Sequence, residues 1–345
     1  MQKEVTTRQP LLDAHGNIAE PGYAKSLVWE YNRENITAKR TRIKEWDYYY
    51  IGCDEHALCL TVADMGYIGA LSISVMDFVT PSQFTNSSVF FFPMGKVKMP
   101  RTSEYGDVAW KNGKTEMSFT CDGKVRHLTG RFANADKKGH DVTFDVTLTD
   151  FPAESMVIAT PFDKPGYFYY NQKINCMTAE GRFTVGDKVK KFYPATSMAT
   201  LDWGRGVWTF DNTWYWSSLQ THLDDGSAFG WNLGYGFGNT AAASEDMLFM
   251  NGKAHKIGRT KFIIPGEDTG NPDFMGKWKI LSDDGRLDCT FKPLIDRYEP
   301  LDLKVMCMIP HQVFGYFSGK CVLDDGTEVV LKQRLGFCEK VHNKW

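Results

Sequence analysis

The sequence predicts an all-β protein built from antiparallel hairpins and arranged in two lobes. Three observations carry this. Turn dipeptides recur between β-like runs, at Asn112-Gly113, Asp122-Gly123, Gly186-Asp187, Asp225-Gly226, Asn251-Gly252, Asp284-Gly285 and Asp325-Gly326. No long segment shows the 3.6-residue period of an amphipathic helix. Residues 214–223 run into Asp224-Asp225-Gly226, and residues 314–323 run into Asp324-Asp325-Gly326, two hairpins of one design. Such an echo fits two related sheets or one long barrel wall. Short helices are allowed only near 154–158 and 242–248.

Taken in order, residues 1–40 are polar and broken by Pro10, Gly16, Pro21 and Gly22, which predicts an extended arm across the surface. Residues 42–51 are rich in aromatics and read as a strand. Alternation places Trp46, Tyr48 and Tyr50 on one face and Glu45, Asp47 and Tyr49 on the other. Both faces are thus partly polar and partly aromatic, unlike a strand that simply faces water. Val142, Phe144, Val146 and Leu148 alternate with Thr143, Asp145, Thr147 and Thr149, a half-buried strand. Residues 228–237 put Phe229, Trp231, Leu233, Tyr235 and Phe237 on one face. The other face holds Ala228, Gly230, Asn232, Gly234 and Gly236, nearly bare of side chains. Either neighbouring tryptophans such as Trp214 and Trp216 cover those glycines, or a ligand does, with Asn232 as its polar handle.

Composition excludes several classes. The chain has 345 residues with a net charge of −2, room for a large core and about two domain-sized units. Without long Lys/Arg runs it is not a general nucleic-acid binder. No apolar run approaches the ~20 residues of a membrane helix. The first eight residues have no apolar stretch of signal-peptide kind. The eight cysteines are scattered, with no CxxC pair. They read as reduced, mostly buried thiols of a cytoplasmic protein.

The densest chemistry lies in Asp202-Trp203-Gly204-Arg205-Gly206-Val207-Trp208, followed by Trp214 and Trp216. An acid and a guanidinium three residues apart, among glycines and indoles, read as a buried pair or as a site. Glu45 and Asp47 flank Trp46 and share a face, where Arg42 or Lys44 can lie between them. Glu245 follows a small-residue stretch and is a further candidate acid. His255 and His311 lie beside aromatic or apolar strands. No histidine or cysteine spacing suggests a metal site, and no dinucleotide, Walker or GxSxG motif is present. Nothing demands a cofactor.

Several of these segments together resemble the domain-of-unknown-function 2804 family. They are residues 42–49, residues 202–208, Gly230-Trp231-Asn232-Leu233-Gly234-Tyr235-Gly236-Phe237, Ser244-Glu245-Asp246 with residues 251–257, residues 311–319, and Gly336-Phe337-Cys338-Glu339. The likeness runs from about residue 9 to Trp345. Asp246 stands where Asn is expected in many members, and Thr209-Phe210 where a Pro-aromatic pair is more usual. The family resembles, more distantly, the lipocalin-like two-lobed β proteins that include carotenoid 1,2-hydratases and some cyclases. The resemblance implies a calycin-like barrel or sandwich fold, and a proton-donor role for the acid at Asp202.

The expected organisation is an arm over 1–40, one β lobe over 41–200 and a second over 201–345, with Asp202 between the lobes. The expected function is an enzyme acting by proton transfer in an aromatic pocket, of hydratase, lyase or isomerase type, on a small organic substrate. Asp202 acts with Arg205, and Glu45, Asp47 or Glu245 handles the second proton. Trp46, Tyr48, Trp203, Trp208, Trp214, Trp216, Asn232, His255 and His311 line the pocket. One alternative is a glycoside hydrolase with two carboxylates ~5–9.5 Å apart. Another is a carrier of an apolar metabolite. Oligomeric state is not legible.

Overall fold

Two antiparallel sheets hold nearly all of the strands in the computed structural model, which describes residues 2–302 and 307–344. Trp345, in the resemblance above, lies outside the described residues. In the first sheet the main run of strands is Ser82–Phe91, Ile68–Asp77, His56–Asp64, Ile43–Gly52, Met198–Val207, Phe168–Val185, Val142–Thr149, Arg126–Phe132, Thr115–Cys121 and Val108–Asn112. Its two ends meet where the Asn112 amide donates to Ser88 Oγ at 2.9 Å and to the Val89 carbonyl at 3.0 Å, so the sheet is a nearly closed barrel. The second sheet runs Lys253–Lys256, Met247–Met250, Ala228–Tyr235, Asp211–His222, Glu328–Lys344, Cys307–Val322, Leu287–Tyr298, Trp278–Ser282 and Thr260–Ile263, a half-barrel. The fold is therefore a two-lobed antiparallel β architecture, in keeping with the all-β hairpins that the turns and periods predict.

Three apolar clusters follow from strand alternation. One fills the first barrel, with Leu60, Leu128, Phe168 and Trp203. One fills the half-barrel, with Trp231, Trp278, Phe291 and Phe317. The third lies between the sheets, where Trp46, Tyr48 and Tyr50 of the first meet Trp216, Phe314 and Phe337 of the second. The mixed faces of residues 42–51 are explained: the strand is buried on both sides, by the barrel interior and by the seam between lobes.

Several expectations are corrected. The lobe boundary at 200/201 falls inside Met198–Val207, which stays in the first sheet along its whole length. The chain crosses at 208–210, because the alternation that pairs this strand with Ile43–Gly52 continues to Val207. The helices allowed at 154–158 and 242–248 do not form. Met156–Pro161 pairs with Phe168–Val185 and with Gly22–Ala24, and Met247–Met250 pairs on both sides. The arm does more than cross the surface. Leu11, Leu12, Trp29 and Tyr31 are buried in the barrel cluster, and the backbone of Lys3 reaches Ala242 of the other lobe at 2.9 Å. Of the two readings of the echo, the single barrel wall holds and the two related sheets do not: the hairpins are neighbours in one sheet, the half-barrel.

Candidate functional site between the lobes

Register sets the site. Asp202 pairs with Tyr48 on one side and with Lys173 on the other, so all three side chains rise from one rung toward the seam. Across the seam, Trp216 pairs with Glu339, and Glu339 with Gln312. The two rungs face each other. The Lys173 ammonium lies 4.2 Å from the centroid of the Trp216 ring. The Tyr48 ring meets Trp216 edge-on at 5.8 Å, and its hydroxyl lies 3.4 Å from Gln312 Oε1.

Asp202 is held at one oxygen. Lys173 Nζ lies 2.7 Å from Oδ1, and the Asn171 amide donates to the same atom at 2.6 Å. Charge-assisted bonds of this length fix the carboxylate in place. The remaining oxygen takes neither donor. Glu339 accepts from the Trp214 indole at 2.8 Å through Oε1 and from the Gln312 amide at 2.9 Å through Oε2. Burial pushes its carboxyl above the usual glutamate range against these bonds.

Glu245 completes the arrangement. Its side chain covers the bare backbone of Gly234, where a Cβ would come within 2.7 Å of the carboxyl carbon. Asn232 donates to its carboxylate at 3.1 Å and to its carbonyl at 2.8 Å, and accepts from the Trp216 indole at 2.7 Å. The glycine face of Ala228–Tyr235 is thus filled by an acid, with Asn232 as the polar handle. Gly230 is covered by the Cys176 thiol. Burial raises the Glu245 carboxyl above its ordinary range; the Lys173 charge opposes this and the Asp202 charge adds to it. Glu245, Lys173 and Asp202 therefore share one electrostatic neighbourhood.

The seam keeps a small water-accessible surface at this rung. Asp202 is 8% exposed, Tyr48 and Glu339 7% and Trp216 6%, while Leu201 and Arg205 on the opposite face of Asp202's strand are fully buried. Further along, Trp46 lies on the bare backbone of Gly204, where a Cβ would meet its ring at 1.9 Å. There Trp46, Tyr169, Trp208, Trp214 and Phe237 pack edge-on and stacked, with centroids 4.9–6.2 Å apart.

Not every expected residue reaches this place. Asp202 and Arg205 do not pair. Three residues apart on a strand, they point to opposite faces. Arg205 lies inside the barrel, 3.1 Å from Asp47 Oδ1 and 4.0 Å from Glu45 Oε1, and donates to the carbonyls of Trp46, Gly204 and Pro100 at 2.8–2.9 Å. Its guanidinium lies 4.1 Å from the Trp203 ring. Glu45, Asp47 and Trp203 are likewise on the barrel side, with Glu45 bound to Tyr31 and Arg33. His255 sits beside Asp324, and His311 is stacked between Phe274 and Tyr298 with Asp296 on Nδ1 at 2.7 Å. Neither histidine is at the seam, because each points away from it on its own strand.

Lys173, Asn171, Gln312 and Glu339 were missed by sequence reading. Glu339 carried a signal, since Phe337, Glu339 and Val341 share one face of their strand. Lys173 carried little, because its register with Asp202 depends on a bulge between Ile174 and Met177, where Cys176 has φ +63°. Among the described residues, His, Cys, Asp and Glu do not gather in groups of three suited to a metal ion. No helix among them is long and apolar enough to cross a membrane.

The fold and seam define a two-lobed antiparallel β protein with an acidic, aromatic-walled interface between its lobes. The chain belongs to the family described as domain of unknown function DUF2804, which matches residues 2–345. Among solved structures it is similar to a Nitrosomonas europaea protein provisionally described as AttH, with 13% identity, TM-score 0.54, and coverage of 96% of this chain and 98% of that one. Kievitone hydratase from Nectria haematococca also aligns, with 12% identity, TM-score 0.48, and coverage of 98% of each chain. No curated protein matches the sequence.

Proposed function

We propose that the protein is an enzyme that moves a proton onto and off a small, unsaturated organic substrate at the seam, by hydration, elimination or isomerisation. The observation that supports this best is the pairing of two unlike carboxyls around one ammonium. Glu245 is pushed toward its protonated form by burial, and Asp202 is ion-paired to Lys173. Pairs of acids whose environments differ in this way divide into donor and acceptor. Glu245 is the general acid in this reading, and Asp202 the base. This reverses the role that the resemblance implies for Asp202.

For hydration, Glu245 gives its proton to one carbon of a C=C bond. A water oxygen bonds the other carbon and passes its proton to Asp202. The proton returns from Asp202 to Glu245 through solvent, so the net change is addition of one water. Lys173 holds the Asp202 carboxylate in place, and Asn232 orients Glu245. Trp216, Tyr48 and Phe337 supply the apolar wall.

The test is a thermal-shift screen of unsaturated phenolics, polyketides and isoprenoids, because a ligand of the native state alone raises the melting point. Hits are then incubated in H₂¹⁸O and read by mass spectrometry. Turnover with a gain of labelled water, or isomerisation without it, is expected, and both are lost in Glu245→Gln and Asp202→Asn. Tight binding with no turnover would establish a carrier instead. Retained turnover in both variants would overturn the assignment.

A further inference from the structure

The seam has two unlike ends. At one, Trp46, Tyr169, Trp208, Trp214 and Phe237 are packed against one another, and Phe162 lies 5.3 Å from Phe237. That end is closed by rings. At the other end lies a cavity of about 140 Å³, bounded by Tyr50, Gly52 and Met198 of the first sheet and Gln220, Arg334 and Leu335 of the second. Its lining comes from both lobes, so it belongs to the seam itself.

The cavity lies in line with the candidate site. Met198 pairs with Gly52, and Asp202 with Tyr48, four residues further along the same two strands. At a rise of ~3.3 Å per residue the two rungs are roughly 13 Å apart. Between them stands the Tyr50 rung. The Tyr50 ring faces Phe314 at 5.9 Å and Phe337 at 5.8 Å across the seam. Its phenol leans outward over Gly52, where a Cβ would meet the hydroxyl at 2.3 Å and Cζ at 2.6 Å. A tyrosine laid on a glycine at the edge of a cavity is a side chain with somewhere to go, since rotation into the cavity uncovers the rung beneath.

We infer that this end is the mouth through which ligand reaches Asp202, that Tyr50 is its gate, and that the ligand is therefore no wider than a single ring and enters end-on. The inference rests on the reading of the Asp202 rung as a site. A cavity of about 140 Å³ is close to the size that accepts one benzene-like ring. Gly52 is the partner of the gate, because any side chain there would take the space in which the phenol lies. The rim is polar, with His222, Asp54 and the Arg334–Asp224 ion pair, so a ligand carrying a polar tail can leave it in water.

A native thiol reports on this path. Cys59 lies on the strand beside Tyr50, in register with it, and its sulfur accepts from the Tyr48 hydroxyl at 3.1 Å. It is 2% exposed. The probe is N-ethylmaleimide, about one ring across, with modification mapped by mass spectrometry on the intact folded protein. Tyr50→Ala is expected to speed labelling of Cys59 at least tenfold, and Tyr50→Phe to leave it unchanged. Cys289, Cys321 and Cys338, buried in the half-barrel, are expected to keep their rates and so report any general loosening. Adding Leu335→Trp to Tyr50→Ala is expected to restore slow labelling. An unchanged Cys59 rate in Tyr50→Ala, a rise shared by the half-barrel thiols, or no block by Leu335→Trp would each overturn the mouth. None of these results depends on turnover, so the mouth and the acid–base reading fail separately.

Discussion

The strand Met198–Val207 carries a buried charge cluster on each face, and the two are built differently. On the barrel side, Arg205 lies between Asp47 and Glu45, donates to three carbonyls and is fully buried. Arg33 and Tyr31 complete the coordination of Glu45. On the seam side, Asp202 has one cation and one amide, both on one oxygen, and keeps a small accessible surface. A cation gripped by two acids and three carbonyls is a fastening, even with its Nε left without a hydrogen bond. A charge held from one side can still exchange a proton. The difference separates structure from chemistry better than the residue types do, since both sites hold acids, a cation and a tryptophan.

The comparison can be broken from the barrel side first. Arg205→Met removes the cation shared by two buried carboxylates, and is expected to cost about 3–5 kcal/mol of unfolding free energy, read by urea denaturation. A loss below 1 kcal/mol would mean that the barrel cluster is not a fastening. On the seam side, Asp202→Asn keeps an acceptor for both donors, so the expected cost in stability is smaller, about 1–2 kcal/mol. Turnover, once a substrate is in hand, is expected to fall by about 10²–10⁴-fold in Asp202→Asn and in Glu245→Gln. Equal stability losses for Arg205→Met and Asp202→Asn would erase the distinction.

Gly204→Ala sharpens the point by packing alone. The new methyl would collide with the Trp46 ring. The expected loss is about 1–3 kcal/mol, with the tryptophan near-UV circular dichroism altered. A near-native spectrum and stability would show the indole free to move.

The smallest expected effects are those of pH. Glu245 must hold its proton to act as an acid, and burial raises its carboxyl. Activity is therefore expected to persist above the ordinary glutamate range and to fall as pH rises through the raised value. A rate that climbs across that limb would exclude Glu245 as donor. Lys256, whose ammonium donates to the Asp246 carbonyl at 2.7 Å, gives a stability counterpart. Burial lowers its amine to about 8, against about 10.5 in the unfolded chain. Between these values the unfolded chain binds more protons, so this group's contribution to stability increases as pH rises from about 8 to 10.5. Relative to Lys256→Met, the wild type is expected to gain stability over that window; a flat difference would contradict it.

How far the sequence reveals this site depends on the range of the contacts involved. The two faces of Ile43–Gly52 follow from alternation alone, and the structure has Trp46, Tyr48 and Tyr50 at the seam as that pattern requires. The same rule, applied to positions 202 and 205, separates Asp202 from Arg205, because an odd spacing on a strand means opposite faces. Closeness in sequence was the misleading cue. Asn232 was legible as the polar residue on a face of bare glycines, but the cover expected there was tryptophan or a ligand, and the structure supplies Glu245 and Cys176 instead. Lys173 was not, since only the pairing of two distant strands across a bulge brings it to Asp202. The family match adds the identity of the fold's relatives without fixing any of these contacts.

The arm described at the start of the fold ties the lobes at a further point. Residues Gly22–Ala24 are zipped to Met156–Pro161 in the first lobe, while Gln2 and Lys3 bind Ser244 and Ala242 in the second. With the covalent link at 208–210 and backbone bonds from Glu154 to Gly252 and from Asn239 to Pro161, the halves are sewn together at several points. Several stitches resist rotation as one cannot, so the width of the gap is set as the chain folds, and a guest must fit the space rather than shape it.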